Sequence, residues 1–215
     1  AITVTASYTD DFGQAESVTS SATSSVANVN DSPAGTVTIS GTATQGQELT
    51  ASNDLTDADG MTTSTVSYQW KRDNVAIDGA TSSTYTLTQA DVGAAITVTA
   101  SYTDDFGQAE SVDSSPTSAV TNVNDSPAGT VTISGTATEG QELTASNDLT
   151  DEDGMTTSTV SYQWKRDNVA IDGATSSTYT LAQADVGAAI TVTASYTDDF
   201  GQAESVDSSP TSAVT

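Results

Sequence analysis

Cysteine and histidine are both missing from the 215 residues. Without cysteine there is no disulfide framework and no thiolate metal site. Without histidine or cysteine a catalytic triad has no proton acceptor of the usual kind. Paired carboxylates could cleave glycosides, but they need a cleft and one raised pKa, which short polar loops do not build. The sequence therefore points away from an enzyme. Basic residues are almost absent too: Lys71, Arg72, Lys165 and Arg166 stand against 29 acidic residues, for a formal charge of −25. Such a surface repels phosphate backbones and anionic lipid. Neither nucleic acid nor membrane contact is expected of this segment. No apolar run approaches the ~20 residues that cross a bilayer. No signal peptide is visible, but the chain starts in mid-repeat, so that absence says nothing about export.

What is present is repetition. AITVTASYTDDFGQAESV begins at Ala1, Ala95 and Ala189, a period of 94 residues. Residues 33–121 match 127–215 except at Gln45/Glu139, Ala58/Glu152 and Thr88/Ala182. Solenoid repeats run at about 20–50 residues, so a period this long means whole domains in tandem. The expected organisation is the C-terminal strands of a truncated preceding repeat (1–27), a linker (28–32), a repeat (33–121), a linker (122–126) and a second repeat (127–215).

Within one repeat the pattern is that of short strands. TVTIS (36–40), ELTAS (48–52), TVSYQWKR (65–72), STYTL (83–87) and AITVTASYT (95–103) alternate apolar with polar residues and are rich in Thr, Val, Ile and Tyr. Asp, Asn and Gly clusters such as NDLTDADG and DDFG separate them. Val66, Tyr68 and Trp70 share one face, which makes Trp70 and Trp164 core residues, with exposed binding aromatics as the alternative. QADVG reads as a plain connection. QAESV begins a last strand that Pro116 interrupts, as at an edge or a bulge. The regular alternation argues against the soluble disorder that an acidic, Ser/Thr-rich chain could otherwise adopt. The predicted fold is all-β: tandem immunoglobulin-like antiparallel β-sandwiches of about seven strands each.

On such a sandwich three acidic clusters fall at the pole where the chain enters. They are the linker (Asn30, Asp31), the second-to-third loop (Asp57, Asp59) and the sixth-to-seventh loop (Asp104, Asp105). The next repeat offers Asn124, Asp125, Asp151, Asp153, Asp198 and Asp199. Converging carboxylates repel and raise one another's pKa unless a cation sits among them. Ca²⁺ is the natural candidate, since it takes six to eight hard oxygen ligands in flexible geometry. Mg²⁺ demands a stricter octahedron, and Zn²⁺ prefers nitrogen or sulfur. The DADG loop is not an EF-hand, because the twelfth position from Asp57 is Tyr68. Ordinary turn chemistry accounts for Asp, Asn and Gly in these loops equally well. From the opposite pole, Glu48 and Asp91 could add ligands to the next repeat's site. Calcium there would tie neighbouring repeats of the same chain into a stiff rod of about 40 Å per repeat.

GTVTISGTATQGQELTASNDLTDADG, SYQWKRDNVAIDGATSSTYTLTQADVG, ITVTASYTDDFGQAESV and NVNDSP together resemble the immunoglobulin-like extender repeats of very large bacterial surface adhesins, a group that includes the calcium-dependent RTX adhesins. The resemblance covers the whole chain. It implies an extracellular, cell-surface spacer, stiffened by calcium at its linkers, that holds a distal binding domain away from the cell, as in biofilm adhesion. Its linker motif implies calcium at Asn30, Asp31, Asn124 and Asp125. Two other readings stay open. One is a carbohydrate- or surface-binding module, for which Phe106 and Phe200 are the only loop aromatics, each expected to pack against the linker; an ice-binding face built on Thr-x-Thr is a variant of it. The other is a subunit of a self-assembling fibre, in which residues 1–27 complete a sandwich in another chain. The register favours a monomer.

Overall fold

The computed structural model describes residues 1–215. An antiparallel hairpin, β1 (Thr5–Thr9) and β2 (Ala15–Thr19), comes first. Then follow β3 (Val37–Ser40), β4 (Glu48–Asn53), β5 (Ser67–Arg72), β6 (Val75–Ala76), β7 (Thr84–Thr86), β8 (Ile96–Thr103) and β9 (Ala109–Asp113). The second copy repeats them as β10 (Val131–Ser134), β11 (Glu142–Asn147), β12 (Ser161–Arg166), β13 (Val169–Ala170), β14 (Thr178–Thr180), β15 (Ile190–Thr197) and β16 (Ala203–Asp207). Each copy has a three-stranded sheet, β3-β4-β7 or β10-β11-β14, and a four-stranded sheet, β6-β5-β8-β9 or β13-β12-β15-β16. That is the strand order of an immunoglobulin-like sandwich, and the chain is a tandem of them.

By contact density the chain forms two compact units. One holds 1–40, 50–85 and 97–116; the other holds 41–49, 86–96 and 117–215. The second unit thus contains the whole second copy, together with two loops of the first and the linker that follows them.

In the second unit the sheets close on Trp164, Leu143, Leu181, Ile190 and Val192. Trp164 is fully buried on β12, its indole N–H donates to the Ser176 carbonyl at 2.9 Å, and its ring stacks on Tyr179 at 5.7 Å. Trp70 is buried in the same way, stacked on Tyr85 at 5.8 Å. Burial of each large apolar side chain contributes on the order of 1.5–3 kcal/mol. Alternation sets the inward set of β15: Ile190, Val192, Ala194 and Tyr196 are all buried. Asp167 and Asn168, both at positive φ (45° and 66°), make the two-residue turn between β12 and β13, a backbone that Asp and Asn tolerate.

Two local features differ from the sequence reading. QADVG is a short 3-10 turn, Gln183–Asp185, not a plain connection. The Asp185 carboxylate accepts from the Ala182 amide at 2.7 Å and from the Tyr179 hydroxyl at 2.9 Å, and pairs with Arg166 at 2.5 Å. Arg166 is therefore a committed ion pair, and Lys165 reaches Asp207 at 3.1 Å. Burial alone would raise the Asp185 pKa, but the amide, the guanidinium and the phenol hold it below the usual carboxylate range. The second difference is the path after the last strand. β9 ends at Asp113, three residues before Pro116. The chain then runs parallel to the loops of its own repeat, bridging Val92 with Val120 and Thr44 with Thr121.

Candidate functional site

The entering linker is held onto the acidic pole by hydrogen bonds. In the second unit the Asp125 amide donates to Asp153 Oδ2 at 2.7 Å, and the Asn124 side-chain amide donates to Glu204 at 2.8 Å. In the first unit Asp31 meets Asp59 at 2.7 Å and Asn30 meets Glu110 at 2.8 Å in the same manner. Glu110 and Glu204 escaped the sequence reading because they lie on strands, outside the Asp-rich loops that drew attention.

The loop carboxylates have divided roles. Asp151 Oδ1 accepts from the Asp153 amide at 2.9 Å, and its Oδ2 accepts from the Tyr196 hydroxyl at 2.5 Å. Burial, then this bond to Asp151, pushes the Tyr196 pKa up; Tyr102 behaves likewise beside Asp57, its hydroxyl 2.6 Å away. Asp199 is filled by four donors, the amides and hydroxyls of Thr156 and Thr157, at 2.7–3.2 Å. The hydroxyl of Thr156 is the first cause that draws its pKa down. Asp105 is filled in the same way by Thr62 and Thr63, with the same lowering led by the Thr62 hydroxyl. Gly154 makes this clasp possible: its φ is +85°, and a Cβ there would sit 2.4 Å from Asp199 Oδ2. Asp105 and Asp199 thus pin the neighbouring second-to-third loop of the same repeat.

Asp153 and Asp198 are different. They are 2% and 3% exposed, and Asp153 Oδ1 and Asp198 Oδ2 have no hydrogen-bond donor. Asp198 Oδ1 accepts from the amides of Phe200 and Gln202 at 2.9 and 2.8 Å. In the first unit Asp104 Oδ2 is also buried and without a donor. The second unit contains no basic side chains except Lys165 and Arg166, and both are paired elsewhere. A buried carboxylate oxygen with neither donor nor counter-charge costs several kcal/mol. The donor set fits a hard cation, which would satisfy these oxygens. No three acidic side chains are gathered as a ready-made metal cluster, however.

The structure brings Asp125 to Asp153, which is itself bonded to Asp151, and Asp31 to Asp59, which is bonded to Asp57. It does not bring Asp91 to a linker. Asp91 is fully buried and accepts from the amide and hydroxyl of Thr88 at 2.8 and 2.9 Å. Glu48 is exposed on β4. The residue that does reach the linker from that end is Gln45, which binds both Val123 and Asp125. Its signal in the sequence was its place among the three positions at which the repeats differ. Phe106 and Phe200 do not pack against a linker as expected; they are 66% and 54% exposed, because the DDFG turn projects them outward.

No protein-family model and no curated protein matches the chain. Among solved structures it is similar to the three N-terminal domains of the bacteriophage RB49 highly immunogenic outer capsid protein (Hoc), at 18% identity over 81% of this chain, with a TM-score of 0.29. The chain spans 58% of the length of that phage fragment. It is also similar to tandem Ig repeats of Dlar, at 12% identity over 84% of this chain and 92% of that one, with a TM-score of 0.24. Likenesses this distant carry no functional argument, and the immunoglobulin-like assignment rests on the strand order itself.

Proposed function

We propose that this chain is a run of structural spacer repeats from an extracellular bacterial adhesin, whose linkers are held by calcium at the acidic pole of each sandwich. The observation that carries the reading is the pair of buried, donorless oxygens, Asp153 Oδ1 and Asp198 Oδ2, beside a linker already bonded to Asp153. Asp153 and Asp198 would offer the free oxygens in the second unit and Asp104 in the first, with Asp125 and Asp31 on the linkers bonded to Asp153 and Asp59. Calcium would supply the positive charge that the acidic pole lacks and would take as ligands the oxygens that have no donor. The residues themselves orient the linker. Asp125 offers its amide, Asn124 ties to Glu204, and Asp199 freezes the loop that carries Asp153 through Thr156 and Thr157. The adhesin and surface assignments rest on the sequence resemblance and on the acidic composition.

A calorimetric titration of the chain with calcium tests this. Saturable binding that is lost in an Asp153→Asn, Asp198→Asn double variant is expected. Absence of any heat or displacement of a competing chelator would contradict it.

Exposed Phe106 and Phe200 favour one second reading, a surface-binding module that uses the turn aromatics. Binding of the intact chain to a glycan array, abolished by Phe106→Ala and Phe200→Ala, would decide for it.

A further inference from the structure

The end of a repeat away from its acidic pole carries a contact that the metal reading does not require. Gln45 lies half-buried in the loop after β3, with its amide bonded to the Thr121 carbonyl at 3.0 Å. Its side chain straddles the linker: Nε2 donates to Asp125 Oδ2 at 2.7 Å, while Oε1 accepts from the Val123 amide at 3.1 Å. The amide side chain does both at once through two different atoms, and only in this orientation. The flipped form would set NH₂ against N–H and oxygen against carboxylate.

The second repeat has Glu139 at the same place, one of only three differences between the copies. Its backbone is held alike, with the Glu139 amide on the Thr215 carbonyl at 2.8 Å. The flanking hydroxyl pair recurs too, Thr44 with Thr121 at 2.8 Å and Thr138 with Thr215 at 3.1 Å. The frame is therefore common to both copies, and the chemistry at its centre is not. A carboxylate accepts from an amide but cannot donate to a second carboxylate.

We propose that position 45 selects how the linker docks: Gln45 clamps residues 123–125 directly and without a metal, whereas a glutamate there makes the same docking depend on a cation between two carboxylates. Glu139, held in the same backbone frame, carries the side chain of the cation-dependent form. This rests on the reading that linker docking is what the junction is for, and it assigns part of that docking to a side chain.

The test is amide hydrogen exchange at Val123 in the full chain, by nuclear magnetic resonance, for wild type, Gln45→Ala and Gln45→Glu, with chelator and with millimolar calcium. The Val192 amide, bonded to Ser208 within the second sandwich, reports that each variant is folded. Wild type is expected to protect Val123 in both solutions. Gln45→Ala is expected to lose about three- to tenfold of that protection in both, the worth of one hydrogen bond. Gln45→Glu is expected to lose it in chelator and regain it in calcium. The proposal is overturned if Gln45→Glu keeps wild-type protection in chelator, if calcium fails to restore it, or if wild-type Val123 is protected only with calcium. Failure of wild type to bind calcium at the acidic pole would sink the preceding reading and leave this one standing, because the Gln45 clamp needs no metal.

Discussion

The main-chain amide of Asp125 donates to Asp153 Oδ2 at 2.7 Å, while Asp153 Oδ1, on the same carboxylate, is buried without any donor. One half of this group holds the linker and the other half is unsatisfied. A cation coordinated by the second half would strengthen what the first half already does.

Asp198→Asn separates charge from hydrogen bonding at the other donorless carboxylate, Asp198. Asn Oδ1 keeps both amide bonds from Phe200 and Gln202, and Nδ2 replaces the donorless oxygen. In chelator the variant is expected to melt at or above the wild-type temperature, since a buried charge without a counter-charge is removed while both accepted bonds are kept. In calcium it is expected to lose the stabilisation that wild type gains. Melting curves of both proteins in both solutions check this.

Gly154→Ala disrupts the loop without changing its charge. A Cβ would meet Asp199 Oδ2 at 2.4 Å, in a backbone conformation that L-residues disfavour. The expected loss is about 1–3 kcal/mol, read by urea denaturation. The same substitution at Gly79, where a Cβ meets nothing within 4 Å, retains only the backbone cost.

Alkaline stability follows from the buried tyrosines. Tyr102 and Tyr196 have folded pKa values raised above the unfolded value of about 10. A raised pKa means that their contribution is fully present below about pH 10 and is lost as pH climbs through the folded values. Urea midpoints measured across that range are expected to fall, and Tyr102→Phe with Tyr196→Phe is expected to flatten the decline.

The first hairpin matches β15 and β16 in sequence except at Thr19, where β16 has Asp207, and has a different fate. Ile2, Val4 and Tyr8 are 62%, 68% and 62% exposed, whereas Ile190, Val192 and Tyr196 are at 0%, 0% and 5%. A two-stranded ribbon is marginal by itself. Amides of β1 and β2 are expected to exchange orders of magnitude faster than those of β15 and β16.

Strand alternation made the fold legible in advance: the inward faces of β8 and β15, the buried tryptophans and the polar turns all follow from residue order. The acidic pole was legible as a set of loops, because the topology fixes which loops share an end. Division of labour within it was not. Asp199 and Asp153 are both loop aspartates, and only the threonine donors that fill one and spare the other distinguish them. Gln45 was hidden for a similar reason. Its partners are a main-chain amide and a linker carboxylate about 80 residues away, placed by the bridges of Val120 to Val92 and Thr121 to Thr44. The outward Phe106 and Phe200 were misread because a tight turn leaves its central side chain no surface to cover.

Small-angle scattering of the intact chain, in calcium and in chelator at matched ionic strength, bears most directly on calcium-held linkers. Calcium is expected to narrow the distribution of interatomic distances and extend its maximum, and chelation to broaden and shorten it. Superimposable profiles in the two solutions, with calcium bound in neither, would contradict the spacer held by calcium at the poles marked by Asp59 and Asp153.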